Sequence, residues 1–228
     1  MLEEPKPLRV RRPTKRPTAE QIALFQKAPS SVVADAMIND GVFQQGIRAL
    51  AGEAHVAGPA LTVGCEPGDI LALKAAISFI EPGDVVVSTS KGFTHSATMG
   101  DLVAGRIKNA GAEGFVTDGA VRDATGIIET GLAVWCQGRT PASPFSNGPG
   151  TIGLPISIGG QTVESGDMVV ADGDGVVVVP FALIDDIAAK VTHILSAEVA
   201  SEEVVKKGAT TYAASEALLN SDQTDWID

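Results

Sequence analysis

Apolar positions in this chain follow two rhythms. Before about Gly41 they recur at helical spacing, and from Gly58 onward they gather into short β-branched runs punctuated by Gly, Pro and Asp. Thr18 followed by Gln21 forms a capping-box pattern just after Pro17, which predicts a helix from Ala19 to Ala28 that stops before Pro29. A second helix is expected from Ser30 or Ser31, turning Val32, Val33, Ala36 and Met37 inward and ending near Gly41. Buried strands are predicted over Ala60–Gly64, Asp84–Thr89, Gly114–Thr117 and Ala133–Cys136, and again over Ile156–Ile158, Met168–Ala171 and Val176–Val179. Helices Ile70–Ile80 and Asp101–Ala110 fall between them, and a long helix from about Ala182 to Lys207 follows. Alternation of this kind is the signature of an α/β protein with parallel βαβ units in the middle and a more β-rich second half.

A small turn recurs as Pro67-Gly68-Asp69, Pro82-Gly83-Asp84 and Ser165-Gly166-Asp167, each ahead of an apolar segment. It reads as a glycine turn whose Asp bonds the local backbone rather than as a catalytic element. Asp172-Gly173-Asp174-Gly175 has the look of a calcium loop but lacks the other ligands and the closing Glu, so a tight hairpin between Val170 and Val176 is expected instead.

Composition narrows the class. With 44% hydrophobic residues, 25 glycines and 4% aromatics in 228 residues, the core is built from Val, Ile, Leu and Ala, as in a globular enzyme with many tight turns. A formal charge of −11 opposes nucleic-acid binding, because phosphate recognition needs a dense basic surface. The basic residues Arg9, Arg11, Arg12, Lys15 and Arg16 crowd a proline-rich opening segment, which reads as a subunit-clasping arm, a nucleic-acid tail or a disordered terminus, with subunit contact and disorder ahead. The expected organisation is therefore an arm over 1–17, a catalytic domain over 18–208 and a tail over 209–228. Cys65 and Cys136 are too few for a disulfide framework and read as buried thiols. No secretory signal or bilayer-length apolar run is evident, so the expectation is a cytoplasmic protein without membrane partners.

Chemistry concentrates in two stretches: Gly100-Asp101-Leu102-Val103, opening a predicted helix, and Asp118-Gly119-Ala120-Val121-Arg122-Asp123, following a predicted strand. Ligands in α/β sheets bind beyond the carboxyl ends of strands, which is where Arg122 and Asp123 should emerge. The helix opening at Gly100 offers main-chain N–H groups to a carboxylate, a guanidinium grips a carboxylate or polarises a carbonyl, and Asp123 offers a hard oxygen to Mg2+ or Mn2+. Such a set suits an oxo acid. Arg-Asp neighbours are also common as surface ion pairs, and Asp101 is equally placed to be a helix cap.

The stretch from about Ser30 to Val179 resembles the RraA-like family, which includes 4-hydroxy-4-methyl-2-oxoglutarate aldolases and RNase E activity regulators. The resemblance is carried, in order, by Gly58-Pro59-Ala60-Leu61-Thr62-Val63, Pro82-Gly83-Asp84-Val85-Val86-Val87, Gly100-Asp101-Leu102, Asp118 through Asp123, Gly138-Arg139-Thr140-Pro141, and Gly166-Asp167 through Asp174-Gly175-Val176 to Pro180. It implies a β/β/α swivelling-type fold, trimers or hexamers, and active sites between subunits. The aldolase branch is marked by Asp, twenty intervening residues, Arg-Asp, and an acidic residue after two more. Asp101, Arg122 and Asp123 fit this pattern, whereas the last position is Gly126 and the nearest downstream carboxylate is Glu129.

What the resemblance implies for chemistry is a divalent-metal-dependent aldolase that cleaves a 4-hydroxy-2-oxo diacid to pyruvate, with oxaloacetate decarboxylation by the same electron sink. Asp123 would hold Mg2+ or Mn2+, Arg122 and Asp101 would act catalytically, and Gly100, Asp101, Leu102 and Val103 would bind the pyruvyl part beside Arg122. A C-terminal glutamate, Glu198, Glu202 or Glu203, would support the metal's water shell from a neighbouring subunit. The competing expectation is a non-catalytic regulator that binds a ribonuclease. Lys74, Lys91 and Lys108 lie outside the Arg-Asp segment, which argues against a Schiff base. His95 and Lys91 precede the anion-binding turn and are watched as substrate contacts. No glycine-rich nucleotide loop supports methyl transfer.

Overall fold

A computed structural model describes residues 6–44, 46–52 and 54–227. In chain order the elements are β1 Leu8–Val10, α1 Ala19–Phe25, α2 Ser30–Ala36, β2 Arg48–Ala49, β3 Val56–Cys65, α3 Leu71–Ala76, β4 Val85–Thr89, β5 Ala97–Met99 and α4 Asp101–Asn109. They continue with β6 Gly114–Thr117, β7 Ala120–Val121, α5 Ala124–Glu129, β8 Ala133–Cys136, β9 Gly138–Arg139, β10 Gly150–Ile152, β11 Ile156–Ile158, β12 Gln161–Val163, β13 Met168–Ala171 and β14 Val176–Val179. Helices α6 Ile184–Lys206 and α7 Ala213–Leu219 close the chain. Most expected strands stand where the pattern put them. The helices are shorter: α1 ends at Phe25, α2 at Ala36 ahead of left-handed residues at Ile38 and Asn39, and α3 gives way to a 3-10 turn over Ile77–Phe79.

The backbone of the fold is the parallel run β3-β4-β6-β8 within a nine-stranded sheet. Period-two alternation splits its side chains between two cores. Leu61, Val63, Val86, Phe115 and Val134 face α3, α4 and α5, meeting Leu73, Ile107 and Ile127. Ala60, Val85, Val87, Val116 and Trp135 face a β layer built by the β11–β12 hairpin and the β13–β14 ribbon. These are the β, β and α layers. The ten-residue β3 serves both halves along one edge, pairing with β13 over Val56–Pro59 and with β10 over Val63–Cys65.

Each recurring turn performs the structural role expected of it. Gly68, Gly83 and Gly166 all hold positive φ, and the Asp that follows accepts backbone N–H groups. Asp69 accepts from Leu71, Asn147 and Gly148; burial pushes its carboxyl up, but those bonds and nearby Lys74 outweigh it, leaving the pKa below the usual range. Asp167 accepts from Glu164 and Phe181, and burial leaves it above that range. The Asp172–Gly175 segment joins β13 to β14 as a hairpin, with Ala171 opposite Val176.

Within the described residues the opening segment packs on its own chain and is not the disordered terminus among the alternatives: β1 pairs in parallel with β10, Arg11 N–H donates to Ile152 O at 2.9 Å, and Arg16 Nη1 bonds the buried Asp84 at 2.6 Å. Residues 1–5 lie outside the described residues. The chain divides into two compact units, one running to Val191 and one from Thr192, and the first unit includes this segment. Among the described residues no helix is long and apolar enough to cross a membrane.

Candidate active site

A second, three-stranded parallel sheet, β5-β7-β9, assembles the site. Its strands are only two or three residues long, and each ends on a residue of interest. Gly100 leaves β5, Arg122 leaves β7, and the Thr140–Ser143 loop leaves β9. Arg122 N–H donates to Met99 O at 2.9 Å, Thr140 N–H to Val121 O at 2.9 Å, and Ala97 N–H to Ala142 O at 2.9 Å. Neighbouring parallel strand ends thus set Gly100, Arg122 and Ser143 side by side, at the carboxyl edge where α/β proteins bind ligands.

Gly100 is required here for space. A Cβ at this position would lie 2.8 Å from Asp123 Oδ2 and 3.2 Å from Arg122 Nε. Arg122 Nη1 donates to Ser143 Oγ at 2.6 Å while its Nε sits 3.3 Å from Asp123 Oδ2, so the guanidinium is fixed at both ends. Asp123 caps α5 in a left-handed conformation, φ 53° and ψ 43°, which costs a non-glycine residue about 1 kcal/mol or more and persists where surrounding structure imposes it. Its side chain is 48% exposed.

A cavity of about 620 Å3 opens in front of this group. Five of the six expected residues line it: Gly100, Asp101, Leu102, Val103 and Arg122. Asp123 does not. Its carboxylate stands beside Gly100 and Arg122, at the margin of the site. The anion-binding turn is also partly self-satisfied, since Leu102 N–H donates to Asp101 Oδ1 at 2.7 Å and Val103 N–H to Gly100 O at 3.2 Å. An incoming carboxylate that uses the Leu102 amide must displace Asp101, freeing that carboxylate as it binds.

Gly126 touches the same residue. A Cβ there would fall 2.8 Å from Asp101 Cβ and 3.0 Å from its Oδ2, so the missing side chain is what lets α5 close on Asp101. Glu129, the nearest downstream carboxylate, ends α5 in solvent, away from the cavity lining.

Three polar lining residues went unforeseen: Lys74 from α3, Arg106 from α4 and Ser143 from the loop after β9. Arg106 follows Leu102 by four residues on α4, a spacing that could have flagged it, but nothing local marks Lys74 or Ser143. Lys74 lies outside the Arg-Asp segment in sequence, yet α3 returns it to the cavity wall. Lys91 is elsewhere, bonding both oxygens of Glu66 at 2.7 Å and lining a separate cavity of about 750 Å3. His95 lies exposed against the Phe93 ring, 5.4 Å between centroids, and does not line the site. Asp118 is buried and accepts from Thr89 Oγ1, Ser90 N–H and Gly92 N–H, a structural role. Both cysteines are free and buried, and burial pushes the Cys65 thiol up to about 11, so it stays protonated and inert.

As a donor, the half-exposed Asp123 suits a hard dication that keeps most of its water and takes a single protein carboxylate. Among the described residues no group of three or more His, Cys, Asp or Glu could hold a metal as a full cage. Glu202 and Glu203 pair with Lys206 at 2.9 Å and Lys207 at 3.8 Å within the second unit.

A three-layer fold with an Arg-Asp pair at the mouth of its parallel strands defines the class as an α/β protein with a candidate site at the carboxyl ends of those strands. More narrowly, residues 30–178 match the RraA-like family, described as Aldolase/RraA, and the chain belongs to that family. It is 38% identical over 159 residues to a Halalkalibacterium halodurans protein provisionally named as a 4-hydroxy-4-methyl-2-oxoglutarate aldolase, covering 70% of this chain and 76% of that one. Among solved structures it is similar to Streptomyces coelicolor RraAS2, described as an unusual member of the RNase ES inhibitor RraA family: 30% identity, TM-score 0.75, 82% of this chain and 99% of that one. An uncharacterised protein from Pseudomonas syringae pv. tomato has TM-score 0.77 at 25% identity, covering 86% and 92%.

Proposed function

We propose that this protein is a divalent-metal-dependent carbon–carbon lyase that cleaves 4-hydroxy-2-oxo diacids, of the 4-hydroxy-4-methyl-2-oxoglutarate or 4-carboxy-4-hydroxy-2-oxoadipate type, to pyruvate, with oxaloacetate decarboxylation as a related reaction. The observation that carries this reading is the convergence of Asp101 and Arg122 on one cavity, with Asp123 held against Arg122 at its margin. Asp123 would hold Mg2+ or Mn2+, and the ion supplies Lewis acidity toward the 2-oxo group when bound.

The chain's own residues account for the rest. The substrate's pyruvyl carboxylate binds at the opening of α4, taking over the Leu102 N–H from Asp101. Arg122, fixed by Ser143, faces the 2-oxo oxygen and stabilises the negative charge that develops there. The released Asp101 accepts the C4 hydroxyl proton, directly or through one water. As that proton leaves, the C4 oxygen forms a carbonyl, the C3–C4 bond breaks, and its electron pair passes into the enolate of pyruvate. Return of the proton to C3 completes pyruvate and frees Asp101.

The non-catalytic reading keeps one specific support, the likeness to a described ribonuclease inhibitor at 30% identity. Pyruvate release separates the two. Chelator-stripped protein should be inactive on the two hydroxy diacids and oxaloacetate, regain turnover with Mg2+ or Mn2+, and lose it in Arg122→Ala and Asp123→Ala. Absence of turnover by folded, metal-loaded protein on all three substrates would put the regulator reading ahead.

A further inference from the structure

Three cations surround the cavity in front of Gly100, although the chain as a whole carries a formal charge of −11. Arg122 is committed to Ser143 and Asp123. The other two, Lys74 and Arg106, are exposed, and neither forms an ion pair among the described residues. Arg106 is oriented by its own helix: Nη1 donates to Leu102 O at 2.7 Å, which holds the guanidinium back over the first turn of α4. Lys74 acts on the Asp69 carboxyl from a distance, but the oxygens of that carboxyl already accept the amides of Leu71, Asn147 and Gly148. Both cations therefore keep donors for a ligand. Between them and Arg122 the wall is apolar, formed by Ile70, Ile77 and Met99, a surface suited to methylene carbons.

Resting on the oxo-acid reading above, in which one carboxylate is taken by the opening of α4 beside Arg122, we infer that Lys74 and Arg106 form a second carboxylate subsite. They are specificity-determining residues that select diacids over monoacids of the same chain length. A guanidinium and an ammonium from two different elements can share the two oxygens of one carboxylate, while the apolar lining meets the methylene carbons of the ligand.

The test compares 2-oxoglutarate with 2-oxopentanoate, which share a five-carbon chain and differ in the distal carboxylate, by titration calorimetry on Mg2+-loaded protein. The wild type should bind the diacid at least ~10-fold more tightly, the scale of one charge-assisted hydrogen bond. The double variant Lys74→Gln/Arg106→Gln should abolish that difference while leaving 2-oxopentanoate affinity unchanged, and Lys74→Arg should retain most of it. Equal affinity for both ligands in the wild type overturns the subsite alone, as does a double variant that weakens both ligands alike or preserves the preference. Binding of neither ligand by folded wild type overturns the oxo-acid reading itself.

Discussion

Two glycines determine how the candidate catalytic side chains meet, each through the absence of a Cβ. At Gly100 an added methyl would lie 2.8 Å from Asp123 Oδ2 and 3.2 Å from Arg122 Nε, so Gly100→Ala should push the Arg-Asp pair out of register while the fold survives. Displacing such a pair by about 1 Å costs on the order of 100-fold in turnover, and we expect kcat for pyruvate release to fall by that much with a Tm within a few degrees of wild type. Gly126 leads to a less intuitive outcome. The family pattern invites the substitution Gly126→Glu as a repair, yet its Cβ would lie 2.8 Å from Asp101 Cβ. In this chain the substitution should displace Asp101 and lower kcat about 10-fold or more. A steady-state assay in which Gly126→Glu raises kcat would refute that account.

At the scale of elements, α2 illustrates a capping interaction that reaches across the chain. Its N-cap is Pro29, which makes no side-chain cap bond, and Asp172 of the β13–β14 hairpin supplies the acceptor instead, taking Ser30 N–H at 2.7 Å and Ser30 Oγ–H at 2.6 Å. Burial pushes this carboxyl up, but the Ser30, Asp174 and Gly175 bonds prevail, leaving its folded pKa below the ordinary 3.8. Because the unfolded chain then binds the proton more readily, stability from Asp172 is present above that ordinary value and is lost as pH falls through the lower folded one. Asp172→Ala should therefore cost about 1–3 kcal/mol at pH 7, and urea midpoints should show the gap to wild type narrowing below about pH 4. The same scale explains what the sequence discloses. Strands such as Gly114–Thr117 and Val176–Val179 are legible because each is a continuous apolar run between turns. The β5-β7-β9 sheet that builds the site is not, since strands of two or three residues carry no period and exist through their mutual pairing. Asp101, Arg122 and Asp123 are legible through spacing and resemblance, whereas Lys74 and Ser143 reach the cavity only through folding.

Over the whole first unit, the opening segment acts as a strap rather than an appendage. It adds β1 to the sheet and then drives Arg16 onto Asp84, at the start of the central strand β4. Asp84 is 4% exposed; burial pushes its pKa above the ordinary range, and Arg16 offsets only part of that. A carboxyl whose folded pKa exceeds its unfolded one loses stability as pH rises between the two values, so at neutral pH Asp84 is a net burden on the fold that Arg16 reduces. Arg16→Met keeps the aliphatic stem but removes that relief and widens the gap. The Arg16 side chain is 36% exposed, which screens the pair, and we expect a loss of about 1–2 kcal/mol at pH 7 rather than the larger cost of breaking a fully buried pair. The loss should shrink toward pH 4, as Asp84 protonates and no longer needs the cation. Urea denaturation of both proteins at pH 4 and pH 7 decides the matter. A deficit that grows at pH 7 assigns the strap an electrostatic role at the start of β4, while an equal deficit at both values would mean that Arg16 acts through packing and its 2.7 Å bond to Pro82 O alone.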